Sequence, residues 1–175
     1  MAGRDVLLLS LLVIITLSVV AFADHEPHCV YTFYIETGPV DSAGTDSIIS
    51  VKISDNSGQD IDIPDIVTWG GLMGPSYDYF ERGNLDIFSG KAQCLPSPVC
   101  SLSLTSDGSG VYPAWFVNYV DVTTVSVHLK SEHQYFDVEQ WLATDTPPYN
   151  LTAVRNNCQV SPIGRVGSEI RKSLS

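Results

Sequence analysis

The sequence predicts an all-β fold, an antiparallel sandwich or barrel, and three observations carry that prediction. Several short runs are rich in Val, Ile, Thr, Tyr and Phe, and some alternate apolar with polar residues. Clusters of Gly, Pro, Asp and Asn punctuate these runs at regular intervals. No segment keeps a helical period over about ten residues. Short strands separated by turns close a core by stacking two sheets or by curling one sheet on itself.

The chain of 175 residues opens with Arg4 and an apolar run from Val6 to Val20, interrupted only by Ser10, Thr16 and Ser18. Ala21-Phe22-Ala23 supplies the small-x-small pattern of a signal-peptidase site, and Asp24 begins a polar stretch. Residues 1–23 are therefore expected to be a cleaved signal peptide, with the cut between Ala23 and Asp24 and a short linker over 24–28. The expected location is the secretory pathway, either the endoplasmic reticulum lumen or the outside. No second long apolar stretch follows, so the processed chain is expected not to span a membrane.

The strands follow in order. Residues 29–37 are β-branched and aromatic, and Gly38-Pro39 stops them. Residues 47–54 place Ile49, Val51 and Ile53 on one face and Ser50, Lys52 and Ser54 on the other, the signature of a half-buried strand. Asp55 to Gly58 turn the chain into Ile61-Asp62-Ile63, which Pro64 ends. Residues 65–83 read as a longer loop, and a strand resumes over 85–88. Val99, Leu102 and Leu104 form another strand whose register slips once. Residues 115–127 hold two strand-like stretches, and 135–142 and 149–154 complete the set. Trp115, Trp141 and Tyr119 are core candidates. Residues 159–175 are polar, carry Arg165, Arg171 and Lys172, and are expected to be a disordered tail.

The net charge of −11 argues against nucleic acid, whose phosphates need a basic patch. It also argues against simple adsorption to anionic lipid, unless a cation intervenes. Cys29, Cys94, Cys100 and Cys158 form an even set expected to make disulfides. Of three pairings, the favoured one joins Cys94 to Cys100 across a short loop and Cys29 to Cys158 across the domain. Chain entropy assigns those rings about 2 and about 5 kcal/mol. Zinc is a poor reading, since neither Cys-x-x-Cys nor finger-spaced histidines occur. Asn150-Leu151-Thr152 is the sequon, with Asn150 the glycan acceptor in an oxidising compartment. Gly-x-Ser-x-Gly and His-Glu-x-x-His are missing, so the chain is read as a non-enzyme.

Three segments carry a resemblance. They are Thr37-Gly38 with Ala43 to Ser47, Tyr77 to Asp86, and Leu104 to Asp107 followed by Ala114 to Val122 and Phe136 to Leu142. In this order and spacing they resemble the PLAT domain (polycystin, lipoxygenase, alpha-toxin). Trp69 to Pro75 and Asn84 to Gly90 look most like the stand-alone plant proteins of that family. The resemblance covers about residues 29–158 and implies an eight-stranded antiparallel β-sandwich of PLAT type, with disulfides. With 17 residues after Cys158 (175 − 158), the expectation is a docking module carried without an enzyme body.

The resemblance implies a calcium site at one end of the sandwich. Its candidate ligands are Gly44, Thr45 and Asp46 in one turn, Asp78 and Glu81 in another, and Asp107 in a third. Calcium takes six to eight oxygens, mixing carboxylates with carbonyls. The family's acidic residue before the tryptophan is replaced here by Ala114, a loss for which Asp107, a backbone carbonyl or water would substitute. The expected partners are membrane lipid headgroups or a membrane-associated protein, met by Trp69, Leu72, Met73 and Tyr77, because aromatic loop tips suit an interface. The family resemblance further implies a role in plant stress response or development. Two alternatives remain open: a metal-independent protein-interaction or cell-wall component using the 69–77 loop or a sheet face, and an unrecognised small-molecule enzyme.

Overall fold

Alternation of buried and open positions sets the architecture. The computed structural model describes residues 27–127 and 130–159. The cleavage site at Ala23 and Asp24, the tail beyond Gln159 and His128 lie outside the described residues.

Eight strands appear: β1 His28–Thr37, β2 Ile49–Asp55, β3 Asp60–Ile63, β4 Leu85–Gln93, β5 Val99–Ser106, β6 Trp115–Val125, β7 Glu132–Leu142 and β8 Thr152–Asn156. They form two four-stranded sheets, β4-β1-β6-β7 and β3-β2-β5-β8, antiparallel throughout. Each sheet turns one face inward. Tyr31, Phe33 and Ile35 of β1 meet Ile49, Val51 and Ile53 of β2 and Leu102 and Leu104 of β5 in one core. Trp115 is fully buried and donates its indole N–H to Thr37 Oγ1 at 2.9 Å, so its polar atom enters the core satisfied.

The β2 face is as the alternation predicts. The register slip in β5 is a β-bulge: Ser54 faces Ser101, Asp55 faces Val99, and Cys100 is the extra residue. Residues 115–125 form one continuous strand rather than two. Trp141 and Tyr119 are not core. They lie half-buried on the outer face of the first sheet, where Trp141 meets Phe116 edge-on at 5.4 Å and Tyr119 leans on Tyr135 at 5.1 Å.

The expected disulfide pairing is overturned. The bonds are Cys29–Cys94 and Cys100–Cys158. Each joins neighbouring strands within one sheet. Cys29 pairs opposite Ala92, two residues from Cys94, and Ser101 pairs opposite Asn156, two residues from Cys158. Cys94 directly follows β4 of one sheet and Cys100 lies near the start of β5 in the other, so they follow different partners. The rings span 65 and 58 residues, and chain entropy gives about 4 kcal/mol to each. Such bonds fit an oxidising compartment.

The long loop also holds a five-residue helix, α1, Ile66–Gly70. Asp65 caps it by accepting the Thr68 N–H. The helix packs against β4 and β2 at the side of the sandwich. Among the described residues no helix is long and apolar enough to cross a membrane.

Candidate functional site

Antiparallel pairing gathers segments 38–48, 64–84, 107–114 and 143–151 at one end of the sandwich. A buried carboxylate organises that end. Asp86 Oδ2 accepts the Phe80 N–H at 2.7 Å, and its Oδ1 accepts the Tyr77 hydroxyl at 2.8 Å. Burial pushes the Asp86 carboxyl above its ordinary range, against these two hydrogen bonds. Phe80 takes a left-handed backbone, φ 62°, which a bulky residue holds only when its surroundings fix it. Here the Asp86 bond and ring packing on Trp115 and Phe88, at 4.8 and 5.5 Å, fix it. The turn sends the Phe80 ring into the core and Glu81 and Arg82 outward.

The first loop meets this turn. Thr45 donates its N–H to the Phe80 carbonyl at 3.3 Å and its hydroxyl to the Tyr112 carbonyl at 2.9 Å. Asp46 donates its N–H to that same carbonyl at 3.1 Å and accepts the Tyr112 N–H on Oδ2 at 3.2 Å. Ser47 Oγ donates to the Ser109 carbonyl at 2.7 Å. Three loops are thereby stitched together around an open cleft of about 280 Å³ lined by Ser42, Gly44, Thr45, Asp46, Glu81, Arg82 and Tyr112.

Four of the six candidate calcium residues therefore converge: Gly44, Thr45, Asp46 and Glu81. Asp78 is exposed and lies off the lining. Asp107 also stands elsewhere, because its Oδ1 is committed to the N–H groups of Ile48 at 3.0 Å and Ser109 at 2.9 Å. Those hydrogen bonds, Ser109 first, hold its carboxyl below the usual range. Asp107 is thus a turn cap that lies off the cleft lining. Among the described residues no third His, Cys, Asp or Glu joins Asp46 and Glu81. The donor set fits a shallow hard-cation site completed by water or by a ligand's oxygens, not a closed cage. Arg82, in the same cleft, reaches Asp41.

The expected contact residues divide. Trp69 belongs to the fold: its ring lies over Gly90, where an added Cβ would stand 2.6 Å from Cζ2, and it meets Phe33 edge-on at 5.8 Å. Tyr77 is tied to Asp86 and packs against Tyr79 at 4.7 Å. Leu72 and Met73 alone stay exposed, at 59% and 54%. More apolar surface stands at Val111 and Tyr112, 79% and 69% exposed, with Val40 at 40%. Sequence reasoning passed over these because they sit in a Gly/Ser/Pro turn; Val111-Tyr112 between Gly110 and Pro113 was the available signal. Asn150 is exposed at this same end, its Oδ1 accepting the Thr152 N–H.

Comparison with known proteins agrees with this fold. The model of the PLAT/LH2 domain family matches residues 31–156. PLAT domain-containing protein 2 of Arabidopsis thaliana is 65% identical over the whole chain and 98% of its own length. PLAT domain-containing protein 1 of the same plant is 62% identical, again over the whole chain and 98% of its own length. Among solved structures, coral 8R-lipoxygenase, described as calcium-activated through a C2-like domain, matches with a TM-score of 0.54 and 22% identity. That match covers 82% of this chain and 19% of the lipoxygenase, and it concerns the fold.

Proposed function

Because the chain belongs to the PLAT/LH2 domain family, we propose that it is a non-enzymatic docking module that meets anionic lipid headgroups through the cleft between Gly44–Asp46 and Glu81–Arg82. The observation that carries this reading is the convergence of Asp46 and Glu81 beside the exposed pair Val111 and Tyr112. A calcium ion held by Asp46 and Glu81 would supply the positive charge that an acidic protein lacks for phosphate. Arg82 stands on the same rim, and its guanidinium matches phosphate oxygens in geometry. Val111 and Tyr112 would leave water for the headgroup boundary, each contributing on the order of 1–2 kcal/mol. The cleft lining carries hydroxyls, carboxylates and a guanidinium but no imidazole or thiol to activate a nucleophile, which supports docking over catalysis. The coral lipoxygenase and a calcium-dependent 11R-lipoxygenase of 19% identity are calcium-regulated by their descriptions, which supports the choice of cation.

The disulfides and the sequon support placing the module in the secretory lumen or outside the cell, with Asn150 glycosylated. Calorimetric titration of the processed chain with calcium tests the site. The expected result is a weak isotherm, on the order of 10⁻⁴–10⁻³ M, as for extracellular modules. Asp46→Asn and Glu81→Gln should each weaken it by about tenfold or more. No binding, or binding indifferent to both substitutions, overturns the calcium part.

A further inference from the structure

The outer face of the β4-β1-β6-β7 sheet carries an ordered pattern that cleft docking does not use. Cross-strand register sets Glu36, Tyr119 and Asp137 side by side in one row and Tyr34, Asp121 and Tyr135 in the next. Rings and carboxylates alternate both along and across the strands. Their in-strand neighbours Ile35, Val120, Val122 and Phe136 fill the core, so the pleat turns these six outward. Tyr119 and Tyr135 lie 5.1 Å apart at 35°, and Tyr135 is 46% exposed. Burial first, then a hydrogen bond with Glu36 for Tyr119 and the charge of Asp137 for Tyr135, raises both tyrosine hydroxyls above their ordinary value. Asp121 pairs with His133 at 2.7 Å, and Glu36 accepts from Asn118 at 2.8 Å. The two rows contain no Lys or Arg.

We propose that this face docks an extended, Lys/Arg-rich polypeptide segment of a partner protein. The argument is charge complementarity joined to ring geometry. A lipid tail or an acidic partner would strand Glu36 and Asp137, which have no ion-pair partner among the described residues. A lysine or arginine laid on the face finds a ring to stack on and a carboxylate one strand or two residues away. Alternate residues of an extended peptide repeat every 6.6–6.8 Å or so, the same period as the rows. The face is independent of the cleft, so either can fail alone.

The test uses the processed full chain and a short synthetic peptide alternating Lys with Ser, titrated by NMR, beside the same peptide with Gln in place of Lys. Saturable shifts on β1, β6 and β7 with the Lys peptide alone are expected. Tyr119→Ser with Tyr135→Ser, which leaves charge unchanged, should weaken binding about tenfold, as should Asp121→Asn with Asp137→Asn. Asp62→Asn with Asp145→Asn removes the same charge elsewhere and should leave binding intact. An equal loss in that control, or unchanged binding by the tyrosine variant, overturns the proposal. Shifts on this face caused by deleting residues 160–175, with no peptide present, would assign the face to the chain's own basic tail and overturn a partner.

Discussion

Gly110 offers the sharpest probe of the stitched loop end. Its φ is +87°, and an added Cβ would stand 2.6 Å from Asp46 Cβ and 2.9 Å from the Asp46 carbonyl oxygen. Gly58 supplies the control, since its φ is +86° but nothing lies within 4 Å of the added atom. Alanine in the left-handed region costs about 1–2 kcal/mol, and the stiffer unfolded chain returns about 0.4–1. Gly58→Ala should therefore lose about 1 kcal/mol. Gly110→Ala carries the same strain plus overpacking against backbone, about 1–3 kcal/mol more. For a domain of this size about 3–4 °C of Tm accompanies each kcal/mol, so losses of about 4 °C and about 10 °C are expected. Thermal melts with and without calcium read both effects. Calcium should raise the Tm of Gly58→Ala as it does the parent's, and leave Gly110→Ala, with Asp46 displaced, nearly unmoved. Equal destabilisation of the two variants would refute the close packing of the 107–114 loop on Asp46.

Other outcomes follow from the same structure. Non-reducing peptide mapping should find Cys29 joined to Cys94 and Cys100 to Cys158; replacing either pair by serine should lower stability by about 4 kcal/mol in denaturant, nearly equally. Asp55 is buried, which raises its carboxyl, but hydrogen bonds from Ser57 and Ser97 outweigh burial and hold it below the ordinary 3.8. Its contribution is therefore present above that value and lost as pH falls through the lower folded-state value. Asp55→Asn should cost about 2 kcal/mol at neutral pH and flatten the acid limb of urea-unfolding stability against pH. Thr37→Val should cost about 1–3 kcal/mol in the same assay, because it leaves the buried Trp115 N–H without an acceptor.

What could be read from residues alone divides along a physical line. Strand faces are local, so β2 and the slip in β5 were legible from alternation. Disulfide pairing is not local. It depends on which strands become neighbours in which sheet, and loop entropy cannot report that. Helix α1 is too short to show a period, so Trp69 read as a loop-tip aromatic when it closes over β4. At the cleft, glycine, threonine and two acids were legible through the family resemblance. The stitching was not, because a turn acid such as Asp107 can cap or ligate, and only the Ile48 and Ser109 N–H groups decide which. Arg82 enters the cleft through the left-handed turn at Phe80, which no pattern encodes, whereas Tyr112 enters through the Gly110–Pro113 turn.

Co-sedimentation of the processed chain with vesicles of phosphatidylserine and phosphatidylcholine tests the central claim most directly. The protein should pellet with vesicles in calcium and return to the supernatant in chelator. Asp46→Asn with Glu81→Gln should abolish the calcium-dependent fraction, and Val111→Ser with Tyr112→Ser should reduce it. Protein left in the supernatant under both conditions would contradict lipid docking through this cleft.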